Sequence, residues 1–324
     1  MIPQTVSWTS ENEQKIADSS KTIAELYNSY FVSVFSIHQN TQNDQEGTNK
    51  NDEPNIEELE ITLSELEVFS ALRALDPDKA LGPDGIPSRI LKETAQQIAP
   101  SLTLLFNKSI NSGVVPDEWK LANVVPVYKR GEKEDVQNYR PISLLCIVSK
   151  LLERCVLKHI WEHLRVILNE CQHGFVPGKS CTSQLIGVLD KIGRLLDRGE
   201  QIDVIYLDMS KAFDRVNHEI LIEKLRHLGF KTNLLRWFKS YLYHRRQQVT
   251  VLGATSPTLP VTSGVPQGSI LGPVLFLLYV NDLPDKISSS SIAAFADDTK
   301  IFKRISKKAL LPTVKEPGRS TDKI

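Results

Sequence analysis

No run in this chain is apolar for long enough to cross a bilayer. Ile270 to Val280 is the best candidate, and it falls short of the roughly 20 residues a spanning helix needs and contains Gly272 and Pro273. The N-terminus has no basic start leading into an apolar core, so no secretory signal is read there. Cysteine is scarce: Cys146, Cys155, Cys171 and Cys181 are the whole set, and no two form a Cys-x-x-Cys pair. That spacing argues against a zinc site even with His173 nearby, and it fits reduced, mostly buried thiols in an intracellular protein. No internal repeat is present. Net charge is absent as well, with 39 basic and 39 acidic residues.

That zero conceals an asymmetry. Residues 1–67 hold 13 acids and 3 bases, leaving 36 bases and 26 acids, a net of +10, for the remainder. A basic body of this kind can attract a polyanion, although an acidic leader on an ordinary domain has the same balance. The chain has 324 residues and is 41% hydrophobic, which suits one large domain or two smaller ones.

Local patterns divide the chain further. His38 to Glu57 is polar throughout and reads as a linker. Before it, the segment from Ile23 to Phe35 has helical spacing. Thr62-Leu63-Ser64-Glu65 matches a capping box and predicts a helix to about Leu75. Asp76 to Gly85 is a turn-rich loop. Helices are expected from Ser88 to Ile98, from Pro100 to Ser112 and from Ser143 to about Leu168. A strand is expected from Leu121 to Tyr128, followed by a polar loop, Lys129 to Asn138. Asp203 to Asp208 is β-rich and ends in a carboxylate. His218 to Leu228 and Thr232 to Leu242 read as helices, with Gly229 as a C-cap. Gln248–Leu252 and Leu259–Thr262 read as strands, and Ile270 to Leu283 as an apolar helix. The segment from Ser306 to Ile324 is polar, aperiodic and broken by Pro312 and Pro317.

The chemistry concentrates in a few places. Phe295-Ala296-Asp297-Asp298 joins two short apolar runs, so two carboxylates sit in a tight hairpin turn. Such a turn can hold a hard cation such as Mg²⁺, or it can be a plain turn. Asp208 closes a strand. If that strand neighbours the hairpin, three carboxylates converge at one sheet end and could bridge two divalent metals about 3.5–4 Å apart. Taken alone, Asp208 reads more readily as a strand-end carboxylate that caps the turn that follows. Lys129 and Arg140 bracket a polar loop and could reach phosphates, or be solvated loop charges. Ser263 to Ser269 is a loop opening an apolar helix. In it Gly264 and Gly268 permit close approach of a base pair or sugar-phosphate backbone and Gln267 can hydrogen-bond a base or ribose, or the stretch is a plain helix-start loop. Phe213 could pack beneath an incoming sugar and exclude a 2′-hydroxyl, or be core. Trp237, Tyr241, Tyr243, Arg245 and Arg246 suit a nucleic-acid groove or an amphipathic helix end.

Together these residues carry a resemblance. The stretch from Tyr206 to Asp214, Gly264-Val265-Pro266-Gln267-Gly268-Ser269 and Phe295-Ala296-Asp297-Asp298 resemble motifs A, B and C of reverse transcriptases. Asn138-Tyr139-Arg140-Pro141-Ile142-Ser143-Leu144 and Gln172-His173-Gly174-Phe175 resemble the fingers motifs of the non-LTR retrotransposon branch. Leu81-Gly82-Pro83-Asp84-Gly85-Ile86-Pro87 is typical of that branch, and the whole looks jockey-like over about residues 20–305.

The resemblance implies an α+β, right-hand polymerase. On that pattern residues 1–60 are a connector with an acidic linker, 61–200 the fingers, 201–305 a partial palm and 306–324 an unstructured tail. It implies Asp208, Asp297 and Asp298 as catalytic metal ligands, Lys129 and Arg140 on the triphosphate, and Gln267 with Gly268 near the templating pair. Phe213 would be the steric gate favouring deoxynucleotides; a small residue there would suggest ribonucleotide use. The cofactors would be two Mg²⁺ ions, with Mn²⁺ as a substitute, and the partners an RNA template, a DNA primer and dNTPs. No membrane or protein partner is implied, and action would be in nucleus and cytoplasm. In the family the palm continues past motif C into a thumb. The expectation is therefore a fragment with impaired polymerisation, the alternative being an inactive RNA-binding remnant.

Overall fold

The computed structural model describes residues 2–9, 13–36, 60–287 and 290–305. The polar segment His38–Glu57 and the tail Ser306–Ile324 lie outside them. The chain divides into two compact units, each built from two stretches: Met1–Leu168 with Ser210–Asn281, and Asn169–Met209 with Asp282–Ile324. In chain order the larger unit supplies β1 (Val6–Thr9), β2 (Gln14–Ala17), α1 (Ser20–Ser33), α2 (Glu65–Arg73), α3 (Ser88–Glu93), α4 (Ala95–Ser112), β3 (Leu121–Tyr128), β4 (Tyr139–Leu144) and α5 (Ile147–Ile167). The smaller unit then contributes α6 (Cys181–Leu196) and β5 (Gln201–Leu207). The larger resumes with α7 (His218–His227), α8 (Thr232–Leu242), β6 (Arg246–Val251), β7 (Ala254–Thr255), β8 (Leu259–Pro260) and α9 (Gly272–Val280). β9 (Ser291–Phe295) and β10 (Asp298–Ile305) complete the smaller one. This is the mixed helix-and-sheet class expected.

In the larger unit β4, β3, β6 and β7 form one sheet in that order, with β8 also on β6. The β3–β6 pairing is parallel, Leu121 opposite Arg246 and Val124 opposite Val249. The buried face of α1 lies in one apolar cluster with this sheet and the β1–β2 hairpin: Ile23, Tyr27 and Phe31 join Val6, Val124 and Val249. The smaller unit is a three-stranded antiparallel sheet in the order β5–β10–β9. Val188 of α6 packs there with Ala293 and Phe302.

Several elements differ from the sequence expectation, each for a local reason. Helix α2 begins two residues later than the Thr62 capping box predicts. Leu63 is pinned beforehand by Asn107: its N–H donates to Asn107 Oδ1 at 2.8 Å, and Asn107 Nδ2 donates to its carbonyl at 2.9 Å. Ser64 and Glu67 therefore form the capping box instead. Pro100 does not divide two helices; it lies inside α4, where the buried face of Ala95, Ala99, Phe106 and Ile110 outweighs one missing backbone bond. The break falls at Thr94, whose hydroxyl donates to the Ile90 carbonyl at 2.7 Å. Ser143 and Leu144 are strand, not helix, because they extend the pairing with β3. Helix α9 is shorter than expected, with Pro273 in its first turn. The β1–β2 hairpin and α6 have no counterpart in the sequence expectation.

Candidate active site

The smaller unit carries the three carboxylates. In the β5–β10 ladder Leu207 faces Thr299, so one further step of the antiparallel register sets Asp208 across from Asp298. On the other side Asp298 pairs with Phe295, closing a two-residue turn of Ala296 and Asp297. Strand pairing thus brings Asp208, Asp297 and Asp298 to one end of one sheet. Asp208 and Asp298 are exposed and Asp297 is half-buried. Among the described residues none of the three is taken up in an ion pair. Among the same residues no group of three or more His, Cys, Asp and Glu side chains is gathered closely enough to hold a metal ion. The donors are hard oxygens, the kind Mg²⁺ takes, and they are adjacent in the fold without being drawn into a cage.

The turn is held from behind. Ala296 has φ 56°, a left-handed conformation that costs a residue with a Cβ. The segment after Asn169 runs along β9: the Ala294 N–H donates to the Cys171 carbonyl at 3.0 Å, and the His173 N–H donates to the Ala294 carbonyl at 2.9 Å. Gln172, 6% exposed, reaches the turn itself. Its Oε1 accepts from the N–H groups of both Gly174 and Ala296 at 2.8 Å, and its Nε2 donates to the Ala296 carbonyl at 3.3 Å. A Cβ on Gly174 would overlap the Ala296 nitrogen and stand 2.9 Å from the Phe295 carbonyl carbon. These contacts were not foreseen. Gln172 and Gly174 drew attention only as members of a fingers-like motif, and neither signals its partner by spacing.

The larger unit carries the remaining candidates. Val265 N–H donates to the Phe213 carbonyl and Gly264 N–H to the Val216 carbonyl, both at 2.8 Å. A Cβ on Gly264 would stand 2.7 Å from the carbonyl oxygens of Phe213 and Asp214, so it is the chain's own backbone that lies against this glycine. Gln267 Nε2 donates to Asp214 Oδ1 at 2.7 Å, and the Ser263 hydroxyl donates to the Asp214 carbonyl at 2.7 Å. Asp214 is buried, which pushes its carboxyl up to about 6 although the Gln267 amide, Lys211 and Arg215 pull it down. The half-buried Phe213 ring stacks on Phe276 with centroids 4.4 Å apart.

Gln267 also fixes a second strand, its carbonyl accepting the Ser143 N–H at 2.7 Å. A Cβ on Gly268 would overlap the Ser143 carbonyl oxygen. Exposed Lys129 and Arg140 sit at the β3–β4 hairpin, where Arg140 faces Val127 and the Lys129 N–H donates to the Asn138 carbonyl at 2.9 Å. A small cleft is lined by Ser143, Asp214, Arg245, Gln247, Ser263 and Gln267. Glu153 was missed as well. Buried in α5, its Oε2 accepts from the Ile270 and Leu271 N–H groups at 2.8 and 3.1 Å, just where the loop turns into α9. A lone glutamate on an apolar helix face was the available signal. Trp237 and Tyr241 prove to be core, buried and stacked at 5.6 Å, rather than groove.

Comparison with known proteins identifies the family. The profile of the family described as reverse transcriptase (RNA-dependent DNA polymerase) matches residues 129–317. The chain belongs to that family. Among curated relatives it is 32% identical over 252 residues to the RNA-directed DNA polymerase from mobile element jockey of Drosophila melanogaster, covering 75% of this chain and 27% of the relative. It is 36% identical over 245 residues to the probable RNA-directed DNA polymerase from transposon X-element of the same organism, covering 74% and 27%. The corresponding figures for that from transposon BS are 33% over 246 residues, 73% and 27%. The chain thus spans little more than a quarter of the length of these relatives. No helix among the described residues is long and apolar enough to cross a membrane.

Proposed function

We propose that this chain carries the nucleotidyl-transfer centre of a non-LTR retrotransposon reverse transcriptase, joining dNTPs to a primer 3′-hydroxyl on an RNA template. The observation that supports it most is the β5–β10–β9 sheet, which places Asp208 beside the Asp297–Asp298 turn within the segment matched to the family. Asp208 and Asp297 would be the principal ligands of two Mg²⁺ or Mn²⁺ ions, and Asp298 the third carboxylate. Bound metals would supply charge neutralisation of the triphosphate and a lowered pKa at the primer hydroxyl. The residues' own work is placement. The carboxylates would fix where the reacting oxygens sit, Lys129 and Arg140 would offset triphosphate charge, and Gln267 and Gly268 would lie near the templating pair. Phe213, its ring backed by Phe276, is the gate against a 2′-hydroxyl. In the polymerase description residues 61–200 would be fingers and 201–305 a partial palm, a division that puts the β3–β4 hairpin in the fingers and the three carboxylates in the palm.

The test is primer extension on a poly(rA)–oligo(dT) substrate with Mg²⁺ or Mn²⁺. The expected outcome is dTMP incorporation that Asp297→Ala abolishes. RNA binding with steep salt dependence, unaltered by Asp208→Ala and without incorporation, would identify the RNA-binding remnant instead.

A further inference from the structure

Gln172 lies outside every residue assigned above to substrate or metal, yet it makes three hydrogen bonds around one turn. Its Oε1 takes the Gly174 and Ala296 N–H groups at 2.8 Å each, and its Nε2 reaches the Ala296 carbonyl at 3.3 Å. The turn it grips carries left-handed Ala296 at φ 56°. That position of a two-residue hairpin favours glycine, because a Cβ there is strained. The peptide on either side of Ala296 sets where Asp297 and Asp298 stand. Gly174 completes the arrangement: with no side chain, its backbone can lie directly against Ala296. From these contacts we infer that Gln172 is a positioning residue which locks the Ala296 turn and thereby aims the Asp297–Asp298 pair.

Resting on the nucleotidyl-transfer reading for its purpose, the inference makes its own structural demand. If the amide is removed, Ala296 can relax towards negative φ and the aspartates that follow it lose their fixed backbone positions. Groups that orient metal-binding side chains from behind have measurable effects on the metal.

The test uses the full chain and two readouts, amide hydrogen exchange at Ala296 by NMR and Mn²⁺ affinity by calorimetry. Gln172→Met keeps length and bulk without the amide. It is expected to lose protection at Ala296 while Ile301 and Phe302 keep theirs, and to bind Mn²⁺ about tenfold or more weakly. Gln172→Glu retains an acceptor for both N–H groups and is expected to keep Ala296 protected; it also decides the matter if Gln172→Met does not fold. Adding Ala296→Gly to Gln172→Met should recover Mn²⁺ affinity, since glycine adopts the turn without strain. A merely structural role would not produce that recovery. Unchanged exchange at Ala296 in folded Gln172→Met, equal loss in Gln172→Glu, or no recovery in the double variant overturns the inference. Should the wild-type chain take up no Mn²⁺ and extend no primer, the polymerase reading fails, while exchange at Ala296 still decides the clamp.

Discussion

Asp214 is 7% exposed, and its carboxyl, raised by burial to about 6, links proton uptake to folding. An unfolded aspartate titrates near 3.9, so between about pH 4 and pH 6 the native state holds more protons than the unfolded chain. Stability therefore falls as pH rises through that window, and the cost persists above it. Asp214→Asn removes the charge while leaving an oxygen for the Gln267 amide. At pH 7.5 it should be more stable than wild type by about 1–3 kcal/mol, and near pH 4 the two should converge. Urea unfolding at the two pH values checks this, and equal stability at both would contradict it. At this scale the sequence flagged candidates by residue type. Asp208, Asp297 and Asp298 stood out as carboxylates at the ends of apolar, β-rich runs, whereas the pairing that brings those runs into one sheet was only a condition until the structure supplied it. Gln172, Glu153 and the inward grip of Asp214 on Gln267 did not stand out, because each depends on a partner distant in sequence.

Among the elements, α2 shows how one cap is chosen from two. Ser64 accepts the Glu67 N–H at 3.3 Å and Glu67 accepts the Ser64 N–H at 3.1 Å. Glu67 also meets Lys158 and His159. Although burial acts to raise it, the Ser64 N–H, Lys158 and His159 prevail and hold its carboxyl down to about 2. Ser64→Ala should cost about 1 kcal/mol and lower the melting temperature of the chain by about 2–4 °C. Thr62→Ala should leave it nearly unchanged, and the reverse order in differential scanning calorimetry would restore Thr62 as the cap. Helices with a clear 3.6-residue period, α1, α7 and α8, were read close to their true limits. The misreadings share a cause: Ser143 and Leu144 looked helical because pairing with β3 overrides local propensity, and exposed Pro100 looked like a boundary because the buried face of Ala95, Ala99, Phe106 and Ile110 that carries the helix past it was invisible.

The two units of the molecule have unequal cores. The cluster around α1 and β6 contains large buried rings, Tyr27, Phe31 and Tyr139 among them. Buried residues of the smaller unit's cluster are Val188, Ala293 and Phe302. The stability available to each unit scales with the apolar area it buries. Native-state hydrogen exchange should therefore show β5, β9 and β10 opening at lower denaturant than β3 and β6. Simultaneous opening of both sets would mean that the units fold as one.

The order of the strands along the chain has its own effect during synthesis. β5 leaves the ribosome well before β10, its hydrogen-bonding partner, because α7 to α9 are translated between them. Until then Val204, Ile205, Tyr206 and Leu207 form an unpaired apolar strand, and Tyr206 remains 72% exposed even when folded. A waiting edge of that kind can pair with another nascent chain. A codon change that slows translation between Asn217 and Asn281 would lengthen the wait and raise the insoluble fraction without altering a single residue.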